Sequence, residues 1–338
     1  MLRIVGDINL TDGYFDVGFG VGRKIEEGYD PFQKISRNSG DLWIGNFEGV
    51  AADCTNKIGI ASRQFRIEPR FLNNVKHFDI YGYANNHAMQ HGENAYNQCT
   101  EVLLGLGSIV VGGAKNHSAV FEHQNRKIAM VVFSQRIDSF SDDPCYWHNP
   151  EYCEIEEGYG NLPKDAFKIV YIHWGNEFIN YPSSQQKKFA HWLIDIGFDL
   201  IVGMHPHILQ GYEVYKGKYI FYSIGNFVFD MAWAPTHYGA IVDVDFSKQE
   251  PMIEYEYVRI GDDYFPYIIE EDNVPVDYRF GTLNKHLSKE ENTEEYHTAI
   301  YYYYRLYRTA NRRDILKKML KHPLGIFPII IDFIKRKL

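Results

Sequence analysis

Short apolar runs alternate with segments whose apolar residues recur at helical spacing, and most apolar runs stop at a glycine or a polar residue. Residues 2–8, 41–44, 78–84, 108–111, 168–172 and 200–202 read as short buried strands. Residues 121–133 read as a hairpin turning at Gln124-Asn125-Arg126-Lys127, with 128–132 buried on both faces. A second hairpin pairs 213–215 with 219–222 around Lys216-Gly217-Lys218, and two strand-like runs follow at 240–246 and 253–260. Helical segments are expected after Pro31, from near Pro69, over 93–106, and from a cap at Ser183 or Ser184 through Phe189, Trp192, Leu193 and Ile196. Strands and helices alternating at βαβ spacing, then hairpins, predict a layered, mixed α/β fold.

Composition narrows the class. The chain has 338 residues, 45% of them hydrophobic, and a net charge of -9. That length and content suit a folded protein with a full core. The acidic balance excludes nucleic acid as the main partner, because phosphate binding needs clustered Lys and Arg. Cys54, Cys99, Cys145 and Cys153 form no C-x-x-C pair, and Met1-Leu2-Arg3 runs straight into a strand without a secretory signal. The expectation is free thiols in a reducing cytoplasm.

The chemistry lies just after the strands. Asp7, Glu48, Asn86 with His87, His173, and His205 with His207 each follow an apolar run. Ligands of open α/β sheets bind outside the carboxyl ends of strands, where neighbouring loops converge, so these side chains are expected on one rim. Carboxylates, an amide and imidazoles without cysteine suit one or two divalent ions of Mn, Fe, Zn or Ni. Glu48 has two oxygens with which to bridge ions about 3.5–4 Å apart. Arg63 and Arg66 are candidates for holding an anionic substrate, since the guanidinium fork matches carboxylate and phosphate.

These blocks are Gly6-Asp7, Asn46-Phe47-Glu48, Ala84-Asn85-Asn86-His87, His173-Trp174-Gly175-x-Glu177, Gly203-x-His205-Pro206-His207-x-x-Gln210 and the run from Ser223 to Asp230. In that order they resemble the CapA family of bacterial capsule and poly-γ-glutamate synthesis proteins, a branch of the calcineurin-like metallophosphatase superfamily, over residues 1 to about 245. The resemblance implies a metallophosphatase-like α/β/β/α sandwich with two mixed β-sheets. It implies metal ligands at Asp7, Glu48, Asn86, His173, His205 and His207, and catalytic roles for His87, as the acid for a leaving group, and for Glu177. Asn46, Trp174 and Asn226 would lie near the substrate. His205 and His207 are expected to be divided between adjacent ions, or between an ion and an empty neighbour. Two positions depart from the pattern: Asn9 stands where catalytic relatives carry a histidine, and Gln90 where the family commonly has an aspartate.

The expected division is a domain over 1–260 and a mainly helical, basic extension over 261–338. From Tyr301 to Leu338 there are ten Lys or Arg against two Asp, a balance of +8 that leaves -17 for the rest. Ile315–Lys321 and Gly325–Leu338 mix apolar and basic residues, which suits a helix lying on the inner membrane face or one packed on the acidic domain. The function expected is a metal-dependent hydrolase in capsule or exopolymer synthesis, acting on an anionic polymer or phosphorylated substrate beside polymer-synthesis proteins. The alternative is a non-catalytic, metal- or ligand-binding partner of such a complex.

Overall fold

The structure is a computed structural model that describes residues 1–287 and 293–321. In chain order the elements are β1 (Leu2–Ile8), α1 (Val21–Glu26), β2 (Leu42–Phe47), β3 (Val50–Ala51), β4 (Arg66–Ile67), β5 (Ile80–Gly82), α2 (Glu93–Gly105), β6 (Ile109–Val111), β7 (Ser118–His123), β8 (Arg126–Ser134) and α3 (Tyr152–Gly160). They continue as β9 (Phe167–His173), α4 (Ser184–Ile196), β10 (Leu200–Met204), β11 (Tyr212–Tyr215), β12 (Lys218–Phe221), β13 (Asn226–Val228), β14 (Tyr238–Asp245), β15 (Met252–Ile260), β16 (Pro266–Ile269), α5 (Phe280–His286) and α6 (Thr293–Lys321).

Two mixed sheets face each other. One runs β16-β15-β14-β1-β2-β5-β6 with β13 added beside β1; the other runs β11-β12-β10-β9-β8-β7. The expected two-sheet α/β architecture with a helical C-terminal region is therefore present. Strand parity builds its layers. Ile128, Met130 and Val132 of β8, Ile169 and Tyr171 of β9, and Leu200 and Val202 of β10 enter the main core. The alternate residues Val131, Phe133, Val170, Ile172 and Ile201 pack in a second core with Phe189 and Leu193 of α4. Both faces are buried, which is why these strands read as unbroken apolar runs. Close approach at the rim depends on glycine: a Cβ on Gly6 would sit 1.8 Å from the Gly225 carbonyl oxygen.

The helix expected after Pro31 is absent. Asp30 accepts the Phe32 N–H at 3.0 Å in a local turn, and single turns follow to Ile35; the helix of this region is α1, ten residues earlier. Near Pro69 the chain makes a 3-10 helix, Pro69–Asn74. α4 begins as expected, with Ser183 and Gln186 in a reciprocal capping box. After residue 260 the chain adds β16 to the edge of the first sheet and Phe280 and Leu283 to the main core. All four cysteines are free.

α6 lies along the rim loops. Tyr307 stacks on Phe178 at 4.1 Å, Asn311 accepts the Ala232 N–H at 2.7 Å, and Tyr296 meets Asn176 at 3.2 Å. Lys318 reaches buried Asp16 at 2.5 Å and also contacts Tyr264. The packed-helix reading of the tail thus holds for 293–321, while Gly325–Leu338 lie outside the described residues. No helix among the described residues is long and apolar enough to cross a membrane.

Asp12, Asp16 and Asp230 are all buried on these loops. Burial pushes the carboxyls of Asp12 and Asp16 up to about 6, even though Lys318 pulls Asp16 down. An aspartate raised in the folded state costs stability as pH rises from its unfolded value toward its folded one. Lys318→Ala removes the cation that opposes this. With the lysine 22% exposed, the expected loss is on the order of 2 kcal/mol at pH 7.5. The loss shrinks below pH 5, where Asp16 holds its proton. Urea unfolding at the two pH values measures it; equal losses at both would reduce Lys318 to a packing residue.

Candidate metal centre

Strand register assembles the site. Asp7 of β1 stands opposite Asn46 of β2 on one side and Asn226 of β13 on the other. In the second sheet, β8, β9 and β10 end side by side, with Ser134 opposite His173 and His173 opposite Met204. His173 continues the parity of Ile169 and Tyr171 toward the first sheet. His205 and His207 follow the end of β10, both at positive φ, 96° and 59°. Two such backbone conformations in non-glycine residues are strained, and strain of this kind concentrates where side-chain aim matters.

Two donor groups form, Asp7 with Glu48 and His173, and Glu48 with His205 and His207, with the atoms of each group within 4.8 Å of one another. Glu48 belongs to both. His205 and His207 share the second group, and His207 also approaches Asp7 of the first. Asn86 joins through His173, its Oδ1 lying 2.7 Å from Nε2. His207 Nδ1 lies 3.4 Å from Asp7 Oδ2 and Nε2 lies 3.7 Å from Glu48 Oε1. His87 Nε2 is also 3.7 Å from Glu48 Oε1.

Charge is tightly balanced here. Burial drives the Glu48 carboxyl well above its usual range and drives the imidazoles of His173 and His87 down to about 3 and about 4. Burial also lowers His207, but the negative charge of Glu48 and Asp7 outweighs it and pushes that imidazole up to about 10. Asp7 is lifted by burial and brought below the usual range by His207 and then His173. His207 thus carries the positive charge that pairs with buried Asp7.

These residues fit a divalent cation. Both oxygens of Glu48 and both ring nitrogens of His205 are buried without a hydrogen-bond partner. Orphaned buried donors and acceptors are rare because each costs desolvation without return. A cation bound among them would engage Glu48 and one ring nitrogen of His205. The chemistry it supplies is charge stabilisation at a reacting oxygen and activation of water.

The other expected residues divide by burial. Asn46 donates to Asp7 Oδ1 at 2.8 Å, and Asn226 Oδ1 meets His207 Nδ1 at 2.9 Å. Both are fully buried and hydrogen-bond to candidate ligand residues. Trp174 shares the parity of Val170 and Ile172, packs in the second core, and donates Nε1–H to the Tyr222 carbonyl at 2.8 Å. Arg66 is spent on the carbonyls of Ser62 and Ala52, both at 2.6 Å, and so holds a loop. Among the described residues Arg63 makes no side-chain hydrogen bond, and its charge acts on Asp12. Glu177 is half-buried, with its charge felt at Glu48 and His207. Asn9 turns its Oδ1 to Thr11 N–H and Oγ at 2.8 and 2.6 Å, so that oxygen is already engaged.

A family model described as bacterial capsule synthesis protein PGA_cap matches residues 1–231. The chain belongs to this family. Among CapA-type relatives, it is 33% identical over 178 residues to a capsule biosynthesis protein CapA of Bacillus anthracis, covering 49% of this chain and 43% of that one. It is 48% identical over 80 residues to the PGA biosynthesis protein CapA of Bacillus subtilis (strain 168), covering 24% of this chain and 21% of that one. Each match spans less than half of the relative's length. A hypothetical protein from Thermus thermophilus aligns over 80% of this chain and 99% of its own at 16% identity, with a TM-score of 0.44, too low to carry an argument.

In this CapA-type chain the sequence reading overlooked Asn85, which is buried and donates to the Phe47 carbonyl at 2.8 Å and Asn46 Oδ1 at 3.3 Å. It also overlooked Arg136, two residues beyond β8. The strand-end signal that singled out His173 applies equally there.

Proposed function

We propose that this CapA-type chain is a metal-dependent hydrolase that serves synthesis or processing of a capsule or poly-glutamate polymer. The carrying observation is Glu48: a buried carboxylate with no hydrogen-bond partner, common to two donor groups. Asp7, Glu48, His173, His205 and His207 would hold one or two ions of Mn, Fe, Zn or Ni, with Asn86 beside His173. In this reading residues 1–260 are the site-bearing domain and 261–338 an extension, whose described part completes the first sheet with β16, adds Phe280 and Leu283 to the main core and packs α6 on the rim.

His87 handles the proton. Gln90 Nε2 donates to the Gln64 carbonyl at 3.4 Å, which leaves Oε1 to accept from His87 Nδ1 at 2.7 Å. That tautomer presents Nε2 as an acceptor toward Glu48. Burial keeps the ring neutral, so His87 first takes a proton from the attacking water and then returns it to the leaving oxygen or nitrogen. Phe65, stacked on the ring at 3.8 Å, keeps it in place.

The second reading is a non-catalytic metal- or ligand-binding partner of polymer-synthesis proteins, favoured by the engagement of Asn9 with Thr11. One assay separates the two: metal-loaded protein against a panel of phosphoesters and a γ-glutamyl oligomer, with a chelated control. Metal-dependent turnover in either arm is expected. Tightly bound metal with no turnover in both arms would favour the binding partner. A membrane-surface role rests on Gly325–Leu338 and forms no part of this proposal.

A further inference from the structure

β8, β9 and β10 end side by side, with Ser134 opposite His173 and His173 opposite Met204, and Arg136 and His205 follow two residues and one residue beyond. Arg136 is firmly held on one side: its N–H donates to Ser134 Oγ at 3.1 Å, and Nη1 donates to the Gly175 carbonyl at 2.7 Å and to Asn176 Oδ1 at 3.4 Å. Asn176 is in turn held by Tyr296 of α6. The other side is bare. Nε is buried without a partner, Nη2 makes no hydrogen bond, and among the described residues no carboxylate pairs with this guanidinium. Burial works against its charge, and the Glu177 carboxylate favours it without forming an ion pair, which leaves a largely buried cation only partly compensated. That charge is felt at both His205 and His173. The Nε–Nη2 edge is also the one with which arginine takes an oxyanion through two parallel hydrogen bonds.

We propose that Arg136 is the substrate-anion residue of this rim, holding a phosphate or carboxylate oxyanion of the substrate next to the His173–His205 edge. This rests on the metal-site reading and deepens it, because it supplies the anion recognition that Arg66 does not. The incoming anion neutralises the guanidinium, and the brace to Gly175 and Asn176 ties its position to the strand that bears His173.

The test uses the full chain, loaded with Mn, as wild type, Arg136→Gln and Arg136→Lys. Calorimetric titration with inorganic phosphate and, separately, with glutarate is read beside bound-metal content and melting temperature. Arg136→Gln is expected to weaken at least one of the two anions by about 10- to 100-fold with metal content unchanged. Arg136→Lys, which keeps the charge and loses the fork, is expected to fall between. Weakening confined to phosphate assigns a phosphoester substrate, and weakening confined to glutarate a carboxylate polymer. Anion affinities unchanged in both variants, with melting temperature lowered, would make Arg136 a brace for the 175–176 carbonyls and overturn the proposal. Absence of bound metal in the wild type would instead overturn the metal-site reading, and anion binding that still depends on Arg136 would uphold this one.

Discussion

Glu48→Gln is expected to abolish tight divalent-ion binding while leaving the metal-free protein at least as stable as wild type. The two effects have opposite causes. In the absence of an ion the Glu48 carboxylate is fully buried with neither oxygen hydrogen-bonded, so burial already favours its neutral form, and an amide of the same shape resembles that form. With an ion present, the substitution removes the one carboxylate common to both donor groups. Losing a residue that merely orients a ligand costs about 10- to 100-fold in metal affinity, so losing Glu48 should cost at least about 100-fold. Melting curves with and without Mn or Zn provide the check: wild type rises with metal, whereas the variant starts at or above the wild-type metal-free value and does not move. An equal metal-induced rise in both proteins would remove Glu48 from the ligand set.

His87→Asn is expected to lower kcat by about 100- to 10,000-fold, the usual worth of a positioned proton-transfer group, while bound metal stays at the wild-type level. Nε2 lies 3.7 Å from Glu48 Oε1, close enough to serve the same reacting centre. The neutral ring also sets a pH dependence. With its imidazole lowered to about 4, His87 is ready to accept a proton at all pH values above that, and it is lost as a base only on acidification through about 4. Wild-type activity should therefore show no inflection from His87 between pH 6 and 8. A kcat within 10-fold of wild type would confine His87 to packing against Phe65.

Much of the site was legible because the sequence exposes strand ends directly. An apolar run followed by a ligand-type residue gave Asp7, Glu48, Asn86, His173, His205 and His207 without any knowledge of pairing. What register decides was not legible. Asn46 and Asn226 flank Asp7 only because β2 and β13 pair with β1 on opposite sides, and Asn85 supports Asn46 across a third strand. The place of Trp174 was within reach: it continues the alternation of Val170 and Ile172, and a parity count puts it in the helix-facing core. The contact of Lys318 with Asp16 joins residues 302 apart and has no local signal. The missed α1 and the misplaced helix after Pro31 have a local cause, since Asp30 closes a turn with its side chain where a continuing helix was read.

The most direct measurement is an anomalous difference map from crystals of the full chain soaked in Mn. One or two peaks are expected within the ring of Asp7, Glu48, His173, His205 and His207, with Glu48 in contact with every peak, and none in crystals of Glu48→Gln. A wild-type map without density there, or with the ion elsewhere on the chain, would contradict the metal centre on which this account rests.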